Sequence, residues 1–281
     1  KISGVSILSS GTGLYQYYGS SVNVDNSIIE SVDNGLNVSR ANVTIKGSNI
    51  KSSSNGVYVS ASSGVRNVSI IGGEIIADGY GIYSRGDYYY SGSTKYCYYQ
   101  ELNVGEDRNP VVIKSKNVGI YLDDCNKMTI KDADIISSTA SGIYLNTSNN
   151  ILTLGENNLT VKNDAPVIVG ETYGLNVNAG VVNFYDGILK GKTNAYRGAI
   201  YDVPTEMQVV EGTEIINDYL FKTAYISDVT DLIMNQNTGE KYKLMKNAVD
   251  DALLGEKLIL LKNVQLYENV TIADDKDITL D

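Results

Sequence analysis

A short phrase recurs along this chain: glycine, an apolar residue, a tyrosine or asparagine, an apolar residue. Two copies are identical, Gly119-Ile120-Tyr121-Leu122 and Gly142-Ile143-Tyr144-Leu145. Looser copies are Gly13-Leu14-Tyr15, Gly35-Leu36-Asn37-Val38, Gly56-Val57-Tyr58-Val59, Gly81-Ile82-Tyr83, Gly174-Leu175-Asn176-Val177 and Gly198-Ala199-Ile200-Tyr201. Successive glycines are 22, 21, 25, 38, 23, 32 and 24 residues apart. A period near 22 to 25 with two lengthened intervals marks a repeat architecture, in which each unit buries its apolar face against its neighbours.

Within each phrase the apolar residues alternate with period two, so the phrase reads as a strand. A second strand follows it, as in Val43-Thr44-Ile45, Val68-Ser69-Ile70, Met128-Thr129-Ile130, Val182-Asn183-Phe184 and Met207-Gln208-Val209. A third apolar pair comes after a polar turn, as in Ile28-Ile29, Ile75-Ile76, Ile135-Ile136, Ile188-Leu189 and Ile215-Ile216. Three short strands in so few residues stack coil on coil into an all-β parallel β-helix. At about 4.8 Å per coil, eight coils make a rod on the order of 40 Å long. In both long intervals a proline precedes an apolar triplet, at Pro110 and Pro166, which reads as an equivalent third strand entered through an extended residue.

Over residues 1–218 this pattern resembles the right-handed parallel β-helix of the pectate-lyase-like superfamily. The resemblance implies a solenoid of about eight or more coils, with a substrate groove on the face that carries the repeated phrase. It implies little about activity, because one scaffold hosts unrelated functions. Residues 219–281 break the repeat. Ala224-Tyr225-Ile226 and Leu232-Ile233-Met234 read as strands, Lys246 to Leu254 as a helix capped by Gly255, and Leu258 to Leu261, Val270-Thr271-Ile272 and Ile278-Thr279-Leu280 as further strands. This small C-terminal β/α segment, with Gly239-Glu240 and Leu260-Leu261-Lys262-Asn263-Val264, resembles the start of a fresh unit in large repetitive surface and adhesin-like proteins of Gram-positive bacteria. The chain is expected to be a segment of a longer protein.

The 281 residues carry 23 basic and 33 acidic side chains, a net charge of -10. Binding to nucleic acid or to an anionic membrane needs the opposite balance. No apolar run is long enough to span a bilayer. The chain has no histidine, which removes the imidazole base and ligand.

The outward position of the phrase is tyrosine at 15, 58, 83, 121 and 144, and asparagine at 37 and 176. Such a column could floor a glycan site, since an aromatic ring with a polar tip suits sugars, or it could be a ladder that stabilises the stack. The insertion from Arg85 to Gln100 holds Tyr88, Tyr89, Tyr90, Tyr96, Tyr98 and Tyr99, which could form a contact surface for a protein or a lid over apolar surface. Cys97 ends that insertion, and Cys125 follows the first strand of the next coil, in the turn from which the insertion leaves one coil earlier. The two sulfurs could meet in a disulfide or remain separate thiols.

Asp123-Asp124 resembles the paired aspartates of polygalacturonase-type hydrolases, where one carboxyl acts as acid and the other as base. That family also uses a Gly-His-Gly motif, absent here, so the bland reading is a turn favoured by aspartate. Lyase chemistry through Arg85, with a calcium ion, is the other enzymatic route. No aspartate cluster has ligand spacing, so no metal or other cofactor is expected. The expectation is a non-catalytic, extracellular, secreted or surface-anchored bacterial segment acting as stalk or adhesin, with a glycan or a host or cell-surface protein as partner. The alternatives are a polysaccharide lyase or hydrolase on the same face, and a protein-binding module working through the insertion.

Overall fold

A computed structural model describes residues 1–281 except 18, 20, 61–65, 107–108, 157–165, 206, 229–232, 243, 262–268, 274–275, 277 and 281. Leu232, Lys262, Asn263 and Val264, named above, therefore lie outside the described residues, as do Asn157 to Ala165 of the second long interval. About 60% of the chain is strand and 3% helix, and the strands wind a β-solenoid of about seven turns.

Seven copies of the phrase and the strand Asn194–Arg197 build one parallel sheet of eight strands, here the tyrosine sheet. Its rungs align in register, Leu36 with Val57, Val57 with Ile82, Ile82 with Ile120, and Ile120 with Ile143. Those residues are fully buried. A second parallel stack aligns Val43, Val68, Leu102, Met128, Leu152 and Val182. A third aligns Ile29, Ile50, Ile75, Ile113, Ile135, Ile168 and Leu189. In two rungs the second and third strands run on as one, Asn42–Ser52 and Arg66–Ala77. They bend at Gly47 (φ +54°) and at Gly72 and Gly73 (φ +63° and +85°), a conformation that glycine adopts without strain. The strands at Val111–Ser115 and Val167–Gly170 both follow their proline and belong to the third stack, as the sequence pattern implied.

The phrase begins with glycine because the rungs approach closely there. A Cβ on Gly142 would lie 2.6 Å from Ile168 Cγ2 and 2.7 Å from the Gly174 carbonyl oxygen. The eighth copy behaves differently. Gly198 has φ +98°, which breaks an extended strand, and the last rung is instead Asn194–Arg197. Tyr201 lies off the ladder, 77% exposed.

Met207-Gln208-Val209 and Ile215-Ile216 do not continue the parallel stacks as expected. Met207–Ile216 pairs antiparallel with Tyr219–Asp228, and the second of these strands lies antiparallel against Ile188–Gly191. The hairpin turns at Asn217 and Asp218 (φ 49° and 66°), so the boundary expected after residue 218 falls in its tip. Beyond it stands a small sheet, ordered Lys241–Tyr242, Ile233–Asn235, Lys257–Leu260, Thr279–Leu280. The helix runs Met245–Asp251, shorter than expected, because Ala252 turns extended (ψ 135°) and tucks into a cluster with Ile233, Tyr242, Ala248 and Leu258. Gly255 lies past the cap. Val270-Thr271-Ile272 is irregular rather than a strand, and Val270 packs on that same cluster. No helix among the described residues is long and apolar enough to cross a membrane.

Candidate functional site: the tyrosine face and its hairpin

Alternation puts one column of side chains on the outer surface of the tyrosine sheet, in the order Tyr15, Asn37, Tyr58, Tyr83, Tyr121, Tyr144, Asn176, Arg197. Four of these tyrosines stack without a break. Ring centroids are 5.1 Å apart for Tyr58–Tyr83, 5.4 Å for Tyr83–Tyr121 and 5.2 Å for Tyr121–Tyr144, and the planes diverge by no more than 9°. The β-rung spacing imposes that geometry, since identical side chains in register must lie one rung apart. Tyr80 tilts onto Tyr83 and Tyr121 from the turn before Gly81, at 5.7 and 5.1 Å. Each ring therefore covers its neighbour's face, and the strip shows edges and hydroxyls to solvent. Tyr15 stands apart from the stack, beyond Asn37, and pairs with Tyr17 at 6.2 Å.

Two residues further along each strand runs a polar column, which includes Arg85, Asp123 and Asn146. The Tyr83 hydroxyl donates to Asp123 Oδ2 at 2.9 Å, and Asn146 Nδ2 donates to Oδ1 at 2.8 Å. Arg85 Nε lies 3.6 Å from the same carboxylate. Burial, and then the hydrogen bond to Asp123, push the Tyr83 phenol well above the usual tyrosine range. Burial, and then the Asp123 charge, raise Tyr121 too.

Asp124 faces the other way, under the insertion. It pairs with Lys95, and its Oδ1 accepts from Thr147 Oγ1 at 2.8 Å and Asn149 Nδ2 at 3.0 Å. Burial alone would raise this carboxyl. The bonds from Lys95, Asn149 and Thr147 outweigh it and hold Asp124 below the usual carboxylate range. The two aspartates thus point to different partners and do not converge on a shared space where a glycosidic bond could sit. Both accept from the protein's own donors.

The insertion is a two-stranded hairpin, Asp87–Ser91 against Thr94–Tyr98. Its inner face carries Tyr88, Tyr90, Lys95 and Cys97. Lys95 Nζ sits 3.9 Å from the centroid of the Tyr88 ring, and Tyr88 meets Tyr90 edge-on. Cys97 and Cys125 are joined in a disulfide with their Cα atoms 5.5 Å apart. Gly86 N donates to the Asp124 carbonyl and Gln100 N to the Cys125 carbonyl, at 2.7 and 3.0 Å, so both feet of the hairpin are tied to the next rung. The outer face carries Tyr89 and Tyr96, stacked at 5.2 Å, with Tyr98 tilted onto Tyr89. One oxygen of Asp124 and the two sulfurs lie within 4.8 Å of one another, but sulfurs bonded together offer a metal no thiolate.

No family model, curated protein or solved structure matches this chain. The functional reading rests on its own residues.

Some of those residues escaped the sequence pattern. Lys95, Thr147 and Asn149, which fix Asp124, have no motif. Asn126 and Asn150 do carry a signal. Each stands two residues before a buried second-strand position, Met128 or Leu152, one repeat apart. Asn126 Nδ2 donates to Asn150 Oδ1 at 2.9 Å, forming a buried amide ladder behind Asp124.

Proposed function

We propose that this chain is a non-catalytic β-helix segment of an extracellular, secreted or surface-anchored bacterial protein, built on the plan of the pectate-lyase-like superfamily. It acts as a stalk or adhesin and meets a glycan on its tyrosine face. One observation carries this reading: four stacked tyrosines form a continuous strip of phenol edges beside a hydrogen-bonding column, while both candidate catalytic carboxylates are engaged by the protein's own donors. A general acid needs a proton to give, and Asp124 is held ionised. The chain has no histidine and Arg85 is directed at Asp123, so among the described residues of this face neither candidate carboxylate has a free acid–base partner. The disulfide favours an oxidising compartment.

The test combines binding with product analysis. Retention of the chain on immobilised neutral oligosaccharides is expected, and Tyr58→Ala, checked for an intact fold by circular dichroism, is expected to lower it. Incubation with plant and bacterial polysaccharides should release neither reducing ends nor unsaturated products. Release of either would make the protein an enzyme, and retention unaffected by Tyr58→Ala would remove the tyrosine face as the contact.

A further inference from the structure

We propose that the break in the tyrosine column at Asn37 is a slot that takes one neutral pyranose ring. The proposal rests on the glycan reading above and places the ring-face contact within it.

Inside the stack no face is available, since Tyr83 is covered by Tyr58 on one side and Tyr121 on the other. A sugar lying along those rungs would meet only edges and hydroxyls. The register shows where that changes. Tyr15, Asn37 and Tyr58 occupy the same position on three successive rungs. Tyr15 and Tyr58 are therefore two rungs apart, about 9.6 Å by the spacing of β-strands. That is the interval across which Tyr58 and Tyr121 hold the ring of Tyr83 between them. At Asn37 the place of the middle ring falls to a short amide. Tyr15 is 57% exposed, and Asn37 and Tyr58 are half-buried. Tyr17 stacks on Tyr15 and is itself covered by the Arg40 guanidinium, so the Tyr15 ring is the wall.

A pyranose suits such a slot. Its C–H faces match two aromatic walls, and its rim hydroxyls match the Asn37 amide, which both donates and accepts. Tyr15, Asn37 and Tyr58 are uncharged, which suits a neutral ring, and the Arg40 guanidinium at the edge of the slot lies over Tyr17, 5.8 Å from its ring centroid. The column breaks again at Asn176. There the flanking residues are Tyr144 and Arg197, so only one wall is aromatic.

Two substitutions separate the slot from the ladder as a whole. Asn37→Tyr supplies the missing ring and continues the stack, so the chain should fold and melt no lower than the parent. Tyr144→Ala removes a ring at the far end. On immobilised cello-, xylo-, manno- and chito-oligosaccharides, Asn37→Tyr is expected to weaken retention by about tenfold or more, and by more than Tyr144→Ala does. Undiminished retention of Asn37→Tyr overturns the slot. If Tyr144→Ala loses retention instead, the glycan reading stands and the contact runs along the ladder. No retention of the parent chain on any of the four overturns both.

Discussion

A phenol that donates to a carboxylate resists ionisation, and Tyr83 is such a phenol. Its folded-state pKa is raised above the ordinary value of 10.0 by burial and by Asp123. The sign follows from linkage: this contribution to stability is complete below the unfolded pKa, about 10, and is lost as pH rises further. The parent chain should lose melting temperature above that pH. Tyr83→Phe should lose it less steeply, while costing about 1 kcal/mol at neutral pH through the missing hydrogen bond. Parallel alkaline slopes for the two chains would show that Tyr83 titrates normally. The outward tyrosines at 15, 58, 83, 121 and 144 were legible in the sequence, because period-two alternation assigns a side. Their mutual stacking was not, since ring orientation is chosen by neighbours one rung away. The roles of Asp123 and Asp124 were hidden for a related reason. Adjacent in sequence, they face different partners, and Lys95 comes from an insertion that no repeat predicts.

At the scale of elements, the hairpin is an irregular feature held by several independent ties. The disulfide, the Lys95–Asp124 pair and two backbone hydrogen bonds attach it to the next rung. The pairing of Cys97 with Cys125 was readable because a solenoid stacks equivalent turns, so a loop leaving one turn lies beside the next. The last rung misled for the opposite reason. Gly198 repeats the phrase in letters, yet its left-handed φ removes it from the strand, and backbone dihedrals do not show in a repeat pattern. Cys97→Ser with Cys125→Ser should lower the unfolding free energy by about 2–4 kcal/mol in urea. Adding Asp124→Asn should then free the hairpin to proteolysis between residues 87 and 98 while the solenoid stays folded. If the pair of serines changes nothing, the bridge does not constrain the unfolded chain.

The solenoid, which makes up most of the molecule, is close to one-dimensional, since each rung touches only the rungs above and below. Stability should then vary along the axis. In the rung at Ile2–Gln16 the inward-facing Ile7 and Leu14 are only half-buried, whereas the rungs through Ile120 and Ile143 have fully buried cores. Amide hydrogen exchange should be fastest at 2–16 and slowest at 120–154, and uniform protection would contradict a rung-by-rung description. The downstream sheet repeats the theme in small. Lys257 pairs in parallel with Thr279 and Leu258 with Leu280, each 22 residues later, which is the pitch of the solenoid itself. A stack of this kind has a mechanical character as well. Pulled by its ends, a chain of rungs yields by peeling, one loop of backbone at a time. The sulfur bridge sets a limit to that process, because the 28-residue span from Cys97 to Cys125 is closed on itself and cannot lengthen under load. About 100 Å of backbone is thereby withheld from extension, and the hairpin beside the tyrosine face lies next to a point where tension passes through a covalent tie.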